Sequence, residues 1–111
     1  MSDVGEKIAR FAKLKAQYPK METVRFSLAS AYEEAEAYDD AIREFEELVA
    51  MKEDFCVAYL HLGSCLMEEE RFDEAIRALE KGRELAVAQS HEAPRMEADM
   101  LLEAAREELD A

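Results

Sequence analysis

Apolar residues recur along this chain with a helical period. Leu28, Ala31, Tyr32 and Ala35 fall at i, i+3, i+4 and i+7. Ala41, Ile42, Phe45, Leu48 and Val49 follow the same rule. Such a stripe covers one face of a 3.6-residue helix. Between the two stripes lies "EAEAYDD", and further on "EEERFDE", neither with Gly or Pro. The break is therefore read from the change of phase and from Asp39, Asp40, Asp73 and Glu74, which suit a first helical turn by complementing the helix dipole. The pattern predicts helices over 22–36, 38–52, 56–70 and 72–88, with a further one over about 3–17.

The pattern repeats. Laying Leu28 on Leu62 also lays Ala29 on Gly63, Tyr32 on Leu66, Tyr38 on Phe72 and Phe45 on Leu79. The same shift superposes "YDDAIR" (38–43) on "FDEAIR" (72–77). One fixed offset that keeps similar chemistry at so many positions marks two copies of one unit, each a pair of antiparallel helices. Ala29, Gly63, Ala41 and Ala75 are small where the paired backbones would cross. Gly inside a helix costs about 1 kcal/mol relative to Ala, which a close crossing that needs the missing methyl can justify.

The period, the dipeptides Leu28-Ala29 and Leu62-Gly63, and the central "YDDAI" and "FDEAI" resemble the tetratricopeptide repeat. The second copy supplies Tyr59, Leu62, Gly63, Leu66, Ala75, Leu79 and Gly82 at that family's positions. The first supplies Leu28, Ala29, Tyr32, Ala41 and Phe45, and departs at Arg25, Leu48 and Glu53; Val87 departs in the second. The resemblance implies an all-α fold, a right-handed superhelical array of antiparallel helix pairs forming one structural domain. Its parts would be an N-terminal half-repeat helix (1–21), a first repeat (22–55), a second repeat (56–89) and a C-terminal capping helix (90–111). Ile8, Phe11 and Leu14 lie one such offset before Ile42, Phe45 and Leu48, so the first helix matches the second helix of a repeat. After Gln89 the phase shifts. A helix starting near Ala93 with Pro94 in its first turn is expected, with Met96, Met100, Leu101, Ala104 and Leu109 facing the core.

Composition narrows the function. Three Gly, two Pro and no Asn in 111 residues leave little material for long turns. The net charge is −13, from 27 acidic and 14 basic residues, which argues against nucleic acid and anionic membranes and is expected of a basic partner, of plain solubility or of a salt-rich host. Residues 1–21 carry +3, residues 22–55 carry −8, 56–89 carry −3 and 90–111 carry −5, a pattern expected of charge compensation between neighbouring helices. The first twenty residues lack an uninterrupted apolar stretch, and no run approaches the roughly 18 apolar residues of a membrane span. With Cys56 and Cys65 nine apart, too far round one helix to bridge, the expectation is a cytoplasmic protein with free thiols.

Tetratricopeptide arrays bind peptides along the first helix of each repeat. Carried over position by position, the resemblance implies a groove lined by Thr23, Phe26, Ser27, Ser30, Glu33 and Glu34, then by Val57, Leu60, His61, Ser64, Met67 and Glu68. Exposed Phe26, Leu60 and Met67, small hydroxyls and three acids would suit a protein or peptide with apolar anchors and a basic residue. The family's carboxylate clamp needs Lys, Arg and Asn in the groove, which here offers Glu33, Glu34 and Glu68, so the clamp is rejected. His61 and Cys65 sit at i and i+4, but two His and two Cys in the whole chain argue against a zinc site. Cys65 occupies a position where the family packs a small residue between helices. No phosphate-binding Gly-rich loop or Ser/His/Asp arrangement is present, so no enzyme, cofactor or metal is expected.

The resulting expectation is a non-enzymatic protein–protein interaction module. The alternatives are a dedicated chaperone for a secreted or self-associating client, or a weakly homo-oligomeric scaffold joined head to tail by its opposite end charges. Phe26→Ala with Leu60→Ala is expected to abolish binding while leaving helicity intact. Ala41→Leu or Ala75→Leu should instead cost about 1–3 kcal/mol of stability by overpacking, measured by chemical denaturation.

Overall fold

The computed structural model describes residues 3–111; Met1 and Ser2, the start of the 1–21 segment, lie outside the described residues. Six helices follow one another: α1 (Asp3–Gln17), α2 (Glu22–Glu34), α3 (Tyr38–Met51), α4 (Cys56–Glu68), α5 (Phe72–Ala88) and α6 (Glu92–Asp110). No strand occurs among the described residues, and the chain is an all-α helical repeat. It divides into two compact units, α1–α3 up to Glu53 and α4–α6 from Asp54.

The repeat is visible in the helix starts. Cys56 of α4 follows Glu22 of α2 at the same offset by which Phe72 of α5 follows Tyr38 of α3, whereas α6 starts two positions later than that offset would place it. α5 has 17 residues against 14 in α3, and the loop after it is one residue shorter, which produces the shift. Pro94 is the third residue of α6, where a missing N–H breaks no helical hydrogen bond.

In the second unit α4 and α5 run antiparallel and close. A Cβ on Gly63 would lie 2.5 Å from Cγ and Cδ2 of Leu79, and one on Gly82 would lie 2.7 Å from Cδ2 of Leu60. At the near end, Cys56 Sγ donates to the Gly82 carbonyl at 3.3 Å. The absent methyls are what allow this crossing. Leu60, Leu79, Ala98, Leu102 and Ala105 then form a core shared by α4, α5 and α6, with Met67, Ile76 and Leu101 packed against it. In the first unit Ala29, Ala41, Phe45 and Leu48 are fully buried, and Phe26 meets Phe45 edge-on with ring centroids 5.9 Å apart.

The structure corrects the sequence reading of α6. Its core-facing side is Ala98, Leu102 and Ala105, with Leu101 half-buried; Met96, Met100 and Leu109 are exposed. The apolar stripe of Met96, Met100 and Ala104 competed with that of Ala98, Leu102 and Ala105. The small residues won because α6 packs close to α4 and α5.

Three helices end in the same way. The N–H of Glu36 bonds to the Glu33 carbonyl at 2.9 Å, and that of Ala37 to the Tyr32 carbonyl at 2.9 Å. Glu70 and Arg71, and then Ser90 and His91, repeat the arrangement. This is the Schellman motif, whose turning residue takes a left-handed backbone and is usually Gly. Here it is Glu36 (φ 59°), Glu70 (φ 58°) and Ser90 (φ 58°). The helix breaks without Gly or Pro are thus made by strained ordinary residues. A left-handed non-Gly residue costs about 1–2 kcal/mol, part of which Gly returns through the greater freedom of its unfolded chain. Glu36→Gly and Glu70→Gly should each therefore stabilise the fold by about 0.5–1 kcal/mol, read as a raised urea midpoint at unchanged slope.

Candidate functional site

In the first unit the sequence-predicted residues divide into two groups. Phe26, Ser27, Ser30 and Glu34 line one concavity of about 290 Å³ between α1 and α2. Thr23 is exposed and Glu33 half-buried, both outside that lining. The opposite wall is α1, which contributes Lys7, Arg10 and Phe11. Lys7 Nζ lies 3.3 Å from a Glu34 oxygen, and the Arg10 guanidinium sits 5.1 Å over the Phe11 ring. The Ser30 hydroxyl oxygen is buried with no hydrogen-bond partner, a state that costs about 1–3 kcal/mol. Lys7, Arg10 and Phe11 were missed because the family pattern assigns binding positions to first helices only. The +3 charge of residues 1–21 was the signal that could have found them.

α1 is held to this wall by ion pairs at its other end. Lys15 Nζ contacts Glu44 at 2.9 Å and Glu47 at 3.3 Å, while Arg25 reaches Glu47 at 2.8 Å and donates from Nε to the Pro19 carbonyl at 2.7 Å. Basic α1 is thus neutralised by acidic α3, as the charge pattern anticipates. Burial works against the charged form of Lys15, but the hydrogen bond and attraction of Glu44, then of Glu47, outweigh it and hold the ammonium above its ordinary 10.5. Burial likewise opposes the Glu47 carboxylate, but Lys15 and Arg25 outweigh it and hold its pKa below the ordinary 4.5.

In the second unit Val57, His61, Ser64 and Met67 are half-buried and Glu68 is exposed. Leu60 is not an exposed groove residue. It is 2% exposed and belongs to the core with Leu79, Ala98, Leu102 and Ala105. Met67 also packs against that core rather than standing clear. The cause is α6, which covers this side of α4. Leu60→Ala would therefore open a cavity and cost about 2–5 kcal/mol, so the Phe26/Leu60 double variant does not separate binding from folding.

Neither cysteine is placed for chemistry. Cys65 is fully buried in α4 and Cys56 is 3% exposed. Burial first, and the negative charge of Glu97 second, push the Cys56 thiol above its ordinary value, away from the reactive thiolate. Among the described residues no three His, Cys, Asp or Glu side chains gather as a metal site. No helix of the described residues is long and apolar enough to cross a membrane.

Comparison with known proteins agrees with this geometry. The tetratricopeptide repeat profile matches residues 33–93, more than half of the chain, and the chain belongs to that family. No curated protein matches it in sequence. Among solved structures it is similar to the Yersinia enterocolitica type III secretion translocator chaperone SycD. The TM-score is 0.91 at 17% identity, over 97% of this chain and 75% of that one. It is similar to the TPR2B domain of yeast Sti1 in its pHsp70 complex, with a TM-score of 0.88 at 15% identity, over 95% and 84%. A tetratricopeptide repeat domain protein from Salinibacter ruber gives 0.72 at 27% identity, over 78% and 97%.

The ion pairs that fix α1 predict a pH dependence. Glu47 is depressed, so its contribution is present above 4.5 and lost as pH falls through its lower folded value. Lys15 is raised, so its contribution is present below 10.5 and lost as pH rises through its higher folded value. At neutral pH both act. Glu47→Gln should lower Tm most near neutrality, by an amount corresponding to about 1 kcal/mol or less, and the gap to wild type should close below pH 4.5. A gap that stays constant across that range means the carboxylate charge contributes nothing.

Proposed function

We propose that the chain is a non-enzymatic protein–protein interaction module of the cytoplasm. In this reading the first helix of each pair presents the partner-binding face: Thr23, Phe26, Ser27, Ser30, Glu33 and Glu34 on α2, and Val57, His61, Ser64 and Glu68 on α4. Leu60 and Met67 belong to the packing beneath the second face. The observation that carries the reading is the concavity in the first unit, where four of the six α2 positions, Phe26 among them, come together with Phe11 of α1.

A second feature supports a basic partner. α2 ends on Glu33 and Glu34, and α4 ends on Glu68 with Glu69 and Glu70 following. A helix C-terminus carries partial negative charge, so each such acid is disfavoured by about 0.3–1 kcal/mol near that end. Glu34 offsets that cost by pairing with Lys7, but the exposed run Glu68, Glu69 and Glu70 at the end of α4 fits recognition of a cation better than it fits folding. The partner is then a peptide or helix with an apolar anchor and at least one Lys or Arg.

One observation favours a second reading, a dedicated chaperone for a secreted or self-associating client: the likeness to SycD extends over 97% of the chain. A client that precipitates alone and stays soluble only with this chain would select it.

The test is quantitative affinity purification followed by binding measurements on the purified partner. Ser27→Arg and Ser64→Arg should each weaken binding by about tenfold or more with Tm unchanged, while Glu46→Arg on the exposed side of α3 should not. If neither serine variant alters capture of any partner, the assignment to α2 and α4 is wrong.

A further inference from the structure

α6 has two sides of opposite character. Ala98, Leu102 and Ala105 enter the core, whereas Met96 and Met100 are 54% and 71% exposed. These methionines are one turn apart, and Glu103 and Glu107 continue the same stripe one and two turns further on. Glu103 and Glu107 also line a cleft of about 880 Å³ between α5 and α6, with Val87 and Leu102 as its apolar part. The cleft has six carboxylates against two guanidiniums, and both guanidiniums are engaged, Arg83 with Asp99 and Arg106 with Glu80.

The solvent-facing side of an amphipathic helix is ordinarily charged or polar. Met96 and Met100 depart from that, and neither belongs to the core. Methionine is unbranched and polarisable, suited to accepting apolar side chains of varied shape. Carboxylates beside it select positive charge and repel phosphates and anionic membranes. The stripe is about 16 Å long, the length of three helical turns, which matches a helix laid alongside better than a single side chain.

We propose that this outer face of α6 and the adjoining α5/α6 cleft dock a basic amphipathic helix of a partner protein, its apolar side on Met96 and Met100 and its Lys or Arg side on Glu103 and Glu107. The site is separate from the α2 and α4 faces. The chain's own basic helix, α1, is a poor occupant from a second copy. Its apolar side, Ile8, Phe11 and Leu14, is already half-buried in its own unit.

The probe is a fluorescein-labelled amphipathic helical peptide of about 14 Leu and Lys residues, four helical turns long, titrated with the full chain by fluorescence anisotropy. A Leu/Glu peptide and a leucine-free Lys/Gln peptide serve as comparators. The Leu/Lys peptide should bind, and Met96→Ser with Met100→Ser should weaken it by about tenfold or more at unchanged Tm. Glu103→Gln with Glu107→Gln should weaken it and flatten its salt dependence. In the Ser27→Arg/Ser64→Arg background, where the α2 and α4 faces are blocked, the Leu/Lys peptide should still bind and the two double variants should still weaken it, so this proposal can fail or survive independently of those faces. Three results overturn it: wild-type affinity in either double variant, equal binding of a comparator peptide, or a concentration-dependent dimer in sedimentation that the methionine variant abolishes, which would make a second copy the occupant.

Discussion

The close crossing of paired helices is the constraint on which the rest of the molecule depends. Where α4 meets α5, Gly63 and Gly82 each lack the one atom that would collide with a leucine of the facing helix. Leu79 and Leu60 fill those two gaps from opposite sides, so each glycine is the socket for the other helix's side chain. The pair thereby gains leucines that are almost wholly enclosed, worth about 1.5–3 kcal/mol each in burial, against about 1 kcal/mol per helical glycine. In the first unit Ala29 and Ala41 are the small residues, and Phe45 is fully buried with them. The two pairs solve the same crossing with different fillers, a phenylalanine in one and leucines seated on glycines in the other.

Much of this was legible in the sequence, because the information is periodic. A helical stripe and one constant offset are enough to place α1 to α5 to within two residues at either end. The offset also identifies Ala41, Ala75, Gly63 and Leu79 as packing positions, since small and large residues recur in register. α6 was harder. Its start is shifted from the repeat, and two apolar stripes on it competed for the core. Methionine outranks alanine in hydrophobicity, but helices at close range select for volume, and the alanines went inward.

The candidate site was less legible for a related reason. Position-by-position transfer treats every first helix alike, yet each helix has its own neighbours. Leu60 stands at a groove position and is buried because α6 lies over it; Phe26 stands at the corresponding position and still lines a concavity. Likewise Lys7, Arg10 and Phe11 join the face of α2 only because α1 packs there. A sequence pattern states which way a side chain leaves its own helix, and the neighbouring element decides whether it meets water.

The placement of the thiols has a consequence of its own. Cys56 and Cys65 are the only cysteines in the chain, both are enclosed, and both belong to α4. The α1–α3 unit has none. Cys56 Sγ is seated on the Gly82 carbonyl of α5, so its reaction with a thiol reagent under native conditions requires the α4/α5 crossing to open. The chain carries a built-in reporter by which the opening of that crossing can be timed without introducing a label.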